Sequence, residues 1–334
     1  MEIKNKVAIS NIYIELTRAC NLNCPHCLRG DADNNSFMSF DQIDRILDNF
    51  SICQHITMGG GEPCLAKNEM FYLMDSIEKR LKTEKIKTFV FNIGMVTNGT
   101  ILDDEIVDRL NSFTEVLLYH IDKEKNDKNK PLKVINIAIS NDQYHNNNPK
   151  EAMNWYKDRV NQNIRVSYNK LSNKGKYDIA ECKRSKKNGI EGLKRYGIAD
   201  LHRFSLVNNS LTKIVDNIEI PLLDGDCLTF TSKGTLICNG FYDFSEVDNP
   251  DFPNLMGNYM ENEVNDLILK WNNKHPLDEK HTIVFERMMK NAMTESDRKR
   301  IMDKFINKEN EVKKIKEENP DMNIFDIYDK VLHF

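Results

Sequence analysis

The sequence predicts an α/β fold: a parallel sheet, curled or open, with helices on its outer face. Strand-like alternation and helix-like spacing take turns along the first two thirds of the chain. Several of the strand-like runs stop at Gly, Asn or Ser, the usual punctuation of a βα turn. The scale is set by 334 residues with 40% hydrophobic and 9% aromatic content, enough for one large domain with an appendage or two modest ones.

Residues 9–16 alternate apolar and polar as a strand does and lead straight into a cluster of cysteines. Residues 39–50 open with a Ser-x-x-Gln capping box and continue at helical spacing. Residues 52–58 read as a second strand ending in Gly59-Gly60-Gly61. Residues 67–83 form a long helix with Met70, Leu73, Met74 and Ile77 on one face. A third strand, 88–96, is stopped by Asn98-Gly99, and a helix follows over 103–110. Residues 114–122 fit either a helical extension or an extra strand, and 123–130 read as a charged, solvated insertion. A fourth strand at 133–139 precedes Ser140-Asn141-Asp142; a helix at 149–162, a strand at 164–168 and a sixth strand at 202–206 complete the series.

After about residue 220 the character changes. Residues 227–230 and 235–238 flank Ser232-Lys233-Gly234, a hairpin signal. Helices are expected at 263–271, 295–316 (broken near Asn307) and 323–332. The lysines of 308–316 alternate with Glu and read as a solvated face.

Composition removes several functions. With 47 basic against 51 acidic residues the formal charge is −4, so no nucleic-acid-binding face or polybasic membrane anchor is expected. No apolar run reaches the ~20 residues of a membrane span, and the N-terminus lacks the apolar core of a signal peptide. A cytoplasmic location is expected. The eight cysteines are then reduced thiols, and metal or redox chemistry becomes the question.

Three of them, Cys20, Cys24 and Cys27, lie in one post-strand loop, CNLNCPHC. Thiolates at these spacings can converge on one inorganic centre. A structural zinc site wants four ligands, and no fourth cysteine stands at zinc-ribbon spacing. An iron–sulfur cubane on three cysteines keeps one iron open. His26 is either a fourth ligand or a ring packed over the centre. Cys53 and Cys64 read as packing residues.

CNLNCPHC resembles the CX3CXφC signature of the radical S-adenosylmethionine (SAM) superfamily, with His26 in the aromatic position. Gly60-Gly61-Glu62-Pro63 resembles that family's GGEP segment, Thr97-Asn98-Gly99 its TNG segment, and Ser140-x-Asp142 its ribose-contacting segment. Each follows a predicted strand, where βα loops of a barrel build active sites. Taken singly, each has an ordinary explanation as a turn or a helix cap. The resemblance implies a partial (β/α)6 TIM-like barrel over 8–218, with a small C-terminal α+β extension over 219–334. It also implies a [4Fe–4S] cluster on Cys20, Cys24 and Cys27, and reductive cleavage of SAM to a 5′-deoxyadenosyl radical that abstracts a substrate hydrogen. Gly60 and Gly61 would let the backbone approach the ligand. Glu62, or the backbone carbonyls beside it, would take the methionyl ammonium. Asn98 would orient the methionyl carboxylate, while Ser140 and Asp142 would meet the ribose. A one-electron donor such as flavodoxin or ferredoxin is implied as partner.

Residues 139–145 and the 227–238 hairpin are similar to peptide-modifying radical SAM enzymes, peptide epimerases included, which often carry a SPASM or twitch domain. A ribosomally made peptide is therefore the expected substrate. A small molecule or nucleotide is the alternative, since no leader-binding domain is recognised before residue 12. A non-catalytic zinc or electron-transfer protein is the remaining class. No cysteine follows Cys238, so a second, auxiliary cluster is not expected. Cys227 and Cys238 are candidate hydrogen donors to a substrate radical, or small buried residues of the hairpin, or metal ligands joined by Cys182. Tyr144 and His145 reach the substrate chamber or merely pack, and Gly175-Lys176-Tyr177 sits near the adenine position.

Overall fold

The computed structural model describes residues 7–83, 92–120, 132–145, 148–169, 171–172, 177–178, 183–189, 194–195, 204–206, 213–215, 218–220, 222–225, 228–238, 242–247, 249–274, 314–315 and 317–318. Strands β1 (Val7–Thr17), β2 (Phe50–Gly60), β3 (Asn92–Thr97), β4 (Ile135–Ser140) and β5 (Ile164–Asn169) pair side by side, all parallel. Helices α1 (Phe40–Asp48), α2 (Lys67–Lys82), α3 (Asp104–His120) and α4 (Pro149–Lys157) make the crossovers. The sheet is open. Alternate strand residues (Ile12, Ile14 and Leu16 on β1, Ile56 and Met58 on β2, Ile135, Ile137 and Ile139 on β4) are fully buried in one core. The helices add Ile43, Ile46 and Leu47 from α1, and Met70, Leu73, Met74 and Ile77 from α2, to the same core. The opposite side chains of the strands, Tyr13 and Glu15 on β1 among them, are left to the other face.

Local signals account for the boundaries. Ser39 Oγ accepts from Gln42 N (3.2 Å) and Gln42 Oε1 accepts from Ser39 N (2.7 Å), the reciprocal capping box expected at α1. The ambiguous stretch from residue 114 is helical as far as His120. Thr114 tolerates the helix interior because its hydroxyl donates to Leu110 O at 2.8 Å. Phe113 and Leu117 continue the buried stripe of Ile106 and Leu110 at helical spacing.

Beyond β5 come β6 (Leu171–Ser172), β7 (Tyr177–Asp178) and β8 (Lys194–Arg195), which form a small antiparallel sheet, with α5 (Lys183–Lys187) among them. β9 (Phe204–Leu206) follows, then a hairpin of β10 (Lys213–Val215) and β11 (Ile218–Ile220). β12 (Leu222–Gly225) and β13 (Leu228–Phe230) both pair parallel with β1. β14 (Thr235–Cys238) returns antiparallel across the turn at Gly234, whose φ of 84° suits glycine. β15 (Leu255–Asn258) pairs with β14. α6 (Phe244–Val247) lies between them in sequence, and α7 (Val264–Lys274) buries Val264, Leu267, Ile268 and Trp271.

The expected sixth strand is present at Phe204–Leu206 but does not extend the series beyond β5. It pairs antiparallel with β12, on the β1 side of the sheet, where β12 offers a hydrogen-bonding edge. The strands after residue 220 likewise continue the main sheet through β1. The helices expected at 295–316 and 323–332 lie almost wholly outside the described residues, only 314–315 of them being described, as helical; 317–318, between the two, are helical as well. Among the described residues no helix is long and apolar enough to cross a membrane.

Candidate functional site

The C-terminal ends of β1 to β4 open on one cavity. Its lining brings together Cys20, Cys24 and Cys27 from the loop after β1, Gly60, Gly61 and Glu62 after β2, Asn98 after β3, and Ser140 and Asp142 after β4. Every residue proposed from the four motifs is therefore at the same opening. Cys20, Cys24 and Cys27 are free and half-buried. Burial pushes the Cys20 thiol up to about 11, with Glu62, Cys27 and Cys24 adding to the rise. Cys27 is raised for the same first reason, burial. Neighbouring thiolates without a cation between them repel, so the trio favours a positively charged centre.

The glycines also have a role within the protein. A Cβ on Gly61 would stand 2.0 Å from Ala19 O, and one on Gly60 would stand 2.1 Å from Thr17 O. These glycines let two stretches of this chain's own backbone touch, and both also line the cavity. Gly61 N donates to Thr17 O and Glu62 N to Ala19 O, both at 2.8 Å, which clamps the end of β2 to the start of the cysteine loop.

Glu62 also has work within the protein. It is fully buried. Its carboxylate accepts from Asn98 N (2.7 Å), Thr97 Oγ1 (2.8 Å) and Cys64 N (3.1 Å). Burial raises its pKa, and these bonds oppose the rise. Asn98 in turn donates from Nδ2 to Asn21 Oδ1 (2.9 Å) and accepts from Thr100 N and Oγ1. Glu62 and Asn98 thus join the ends of β2 and β3 to the cysteine loop. Changing Glu62 to Ala strands three buried donors, and a loss of about 3 kcal/mol is expected. Urea unfolding followed by circular dichroism checks this; an unchanged midpoint would remove the bracing role.

Asp142 is held by the turn it starts. Oδ1 accepts from Tyr144 N (2.9 Å) and His145 N (3.1 Å), and Oδ2 lies 2.7 Å from His145 Nδ1 and 3.6 Å from His26 Nε2. Burial works against ionisation of Asp142, yet its bonds to His145 hold the carboxyl below the usual range. Burial also opposes the charge on His145, but Asp142 and Cys24 push it up to about 9. Burial lowers His26 to about 4. The His26 ring is 5% exposed and packs 5.1 Å from the Tyr144 ring and 5.0 Å from that of His145. Tyr144 therefore packs on His26, and His145 lines the cavity.

Of the C-terminal cysteines, only Cys238 is among the described residues. Cys238 is fully buried in the hydrophobic core and does not line the cavity, as a packing residue of β14 would be, so a hydrogen-donor role gains no support from its position. Cys227 and Cys182 lie outside the described residues, as do Gly175 and Lys176. Cys53 and Cys64 are buried, as expected.

Several lining residues escaped the sequence reading, chiefly Tyr13, Arg29, Arg184 and Phe244. Tyr13 was discoverable, since it alternates with the core positions of β1. Arg29 stacks on the Tyr242 ring at 3.8 Å and on Tyr13 at 5.1 Å. Glu15, fully buried, accepts from Arg18 Nε (2.9 Å), Ser232 N (3.1 Å), Ser232 Oγ (2.7 Å) and the Tyr242 hydroxyl. Arg29 O accepts from Phe244 N at 2.9 Å. These residues bind Ser232, Tyr242 and Phe244 to β1 and the cysteine loop, across a sequence separation that no local pattern encodes.

Residues 14–167 match the family model described as the Radical SAM superfamily. A probable GTP 3′,8-cyclase of Pyrococcus horikoshii is 32% identical over 95 residues, 28% of this chain and 27% of that protein. The tungsten-containing aldehyde ferredoxin oxidoreductase cofactor-modifying protein of Pyrococcus furiosus is 32% identical over 113 residues, 32% of this chain and 29% of that protein. The chain thus spans little more than a quarter of the length of these curated relatives. Among solved structures, anSMEcpe with bound AdoMet superposes with a TM-score of 0.42 at 18% identity, covering 78% of this chain and 80% of that one. Streptococcus suis SuiB bound to precursor peptide SuiA gives a TM-score of 0.37 at 15% identity, covering 79% and 65%. All four motif segments that meet at the cavity fall inside the matched span, and residues 14–167 are a radical SAM domain.

Proposed function

We propose that the chain is a radical SAM enzyme whose reaction takes place in the cavity at the ends of β1 to β4. The observation that carries this is the convergence of three half-buried cysteines with Gly60, Gly61, Glu62, Asn98, Ser140 and Asp142 on that one opening. The radical SAM domain implies a [4Fe–4S] cluster and SAM, and the donor set fits them: three thiols on one loop, and beside it a partly enclosed space to which Asn98, Ser140 and Asp142 contribute polar groups. When bound, the two supply one-electron cleavage of SAM to methionine and a 5′-deoxyadenosyl radical that removes a substrate hydrogen.

Cys20, Cys24 and Cys27 hold the cluster as thiolates. Because the Glu62 carboxylate already accepts three bonds, the backbone carbonyls beside it are the better acceptors for the methionyl ammonium. Asn98 orients the methionyl carboxylate through its side-chain amide. Ser140 and Asp142 face the ribose, with Asp142 fixed in place by His145. One cluster is proposed, with about four irons per chain.

The proposed substrate is a ribosomally made peptide, epimerised or cross-linked, a reading supported by the resemblance of 139–145 and of the hairpin to peptide-modifying relatives. A nucleotide is the second reading, favoured by the several matched relatives named GTP 3′,8-cyclase. Anaerobically reconstituted protein with dithionite is expected to release 5′-deoxyadenosine and methionine from SAM in equal amounts. Candidate peptides and GTP are then compared for their stimulation of that release. A fully iron-loaded protein that yields no 5′-deoxyadenosine above a protein-free control overturns the proposal.

A further inference from the structure

We propose that Tyr13 is a positioning residue for SAM: its phenol hydroxyl holds the Gly60 peptide, and through it the carbonyls that take the methionyl ammonium. This rests on the radical SAM reading above and adds to it a residue outside the four motifs.

The need for such a residue arises in the ladder between β1 and β2. From Ala8 to Glu15 the two strands keep one register, which sets Tyr13 opposite Thr57 and Glu15 opposite Gly59. The register then slips, and Thr17 rather than Leu16 stands opposite Gly60. A bulge of this kind breaks the regular exchange of hydrogen bonds and re-aims the chain. The Leu16 carbonyl accepts from Met38 N at 2.8 Å. Gly60, half-buried and with a φ of 118°, donates its N–H to the Tyr13 hydroxyl at 2.5 Å. A backbone donor withdrawn from water needs an acceptor of this kind.

Three consecutive amides are thus engaged by this chain itself: Gly60 N by Tyr13, Gly61 N by Thr17 O and Glu62 N by Ala19 O. Two of these acceptors are carbonyls, which any sequence supplies. The third is a side chain, so it is the one the sequence has to encode.

Gly59 serves the same contact. It precedes the Gly60-Gly61-Glu62-Pro63 segment, and a Cβ on it would stand 2.1 Å from the Tyr13 hydroxyl oxygen and 2.6 Å from Cζ. Its missing side chain is the space through which the phenol reaches Gly60. The Arg29 guanidinium, two residues past Cys27, lies over the Tyr13 ring at 5.1 Å from its centroid. Tyr13 therefore ties the turn after β2 to the loop that carries the cysteines, and both Tyr13 and Gly60 line the cavity. Carbonyls fixed before the ligand arrives need no ordering when it binds.

The test uses the cluster-loaded full chain under anaerobic conditions. Tyr13→Phe keeps the ring and removes the hydroxyl; Gly59→Ala displaces the hydroxyl without changing Tyr13. Equilibrium binding is measured for SAM, for S-adenosylhomocysteine and for the deaminated analogue of the latter, which lacks the ammonium. Both variants are expected to lose about tenfold in affinity for the first two ligands and to bind the deaminated analogue as wild type does. The EPR spectrum of the reduced cluster at saturating SAM should differ from that of wild type, a signature that a purely structural role leaves unmoved. Undiminished SAM affinity in Tyr13→Phe overturns the assignment. An equal loss for the deaminated analogue overturns it as well, since the effect is then not on the ammonium. Iron lost from the variants while each loaded site keeps its SAM affinity also overturns it, because Tyr13 then serves the cysteine loop alone. All three results leave the radical SAM reading intact, whereas a wild-type chain that takes up no cluster removes both.

Discussion

Simultaneous replacement of Cys20, Cys24 and Cys27 by alanine is expected to leave a folded chain that takes up no iron–sulfur cluster and forms no 5′-deoxyadenosine. The three thiols are half-buried and free, so their loss removes ligands without opening the main core, which is built from the strand and helix residues described above. Circular dichroism should be close to wild type. Iron and sulfide assays and visible absorption read the loss directly. Wild-type iron and sulfide in the triple variant would falsify the assignment of the cluster to this loop. The variant also separates ligation from folding, because Glu15, Arg18 and Glu62, which brace the loop, are untouched.

Gly61→Val is expected to be the most disruptive single change in the site. Its Cβ would stand 2.0 Å from the Ala19 carbonyl oxygen and 3.0 Å from the Arg18 carbonyl carbon, both backbone atoms with little room to yield. Either β2 or the cysteine loop must move, breaking the bonds from Gly61 N to Thr17 O and from Glu62 N to Ala19 O. The expected loss is on the order of 3–5 kcal/mol, with cluster loading and SAM binding reduced together. Chemical unfolding gives the first quantity, and iron content and equilibrium SAM binding give the others. A variant of wild-type stability that fails only to bind SAM would instead put the glycine against the ligand. Wild-type behaviour in every assay would contradict the backbone clamp.

The parallel strands β1 to β5 and the four motifs at their ends were legible because both are written in short-range patterns. Alternation marks the buried face of a strand, and Gly59-Gly60-Gly61, Asn98-Gly99 and Ser140-Asn141-Asp142 mark where strands stop. The reason for Gly61 was not legible, since the atom it avoids, Ala19 O, lies some forty residues earlier. Glu62, or the carbonyls beside it, read as a ligand contact; nothing local reveals that its carboxylate also accepts from Thr97 and Asn98. Strand pairing had the same limit. Residues 204–206 and 228–230 are recognisable as strands, yet 228–230 pair with β1, about two hundred residues away, and 204–206 pair with β12, itself held on β1. Arg29 and Arg184 enter the cavity for similarly remote reasons: the rings of Tyr13 and Tyr242 around one, the carbonyl of Gly30 before the other.

The pairing of β13 with β1 imposes an order on synthesis. A nascent chain that has emerged through residue 169 already has Cys20, Cys24 and Cys27 and every strand from β1 to β5. It still lacks Ser232 and Tyr242, which complete the shell around Glu15, and Phe244, whose amide bonds Arg29 beside Cys27. Until about eighty more residues are translated, one edge of β1 stays open and the buried charges of Glu15 and Arg18 stand half-compensated. The cysteine loop therefore reaches its final form late, from contacts of long sequence separation. Cofactor insertion is better timed after Phe244 has emerged than before.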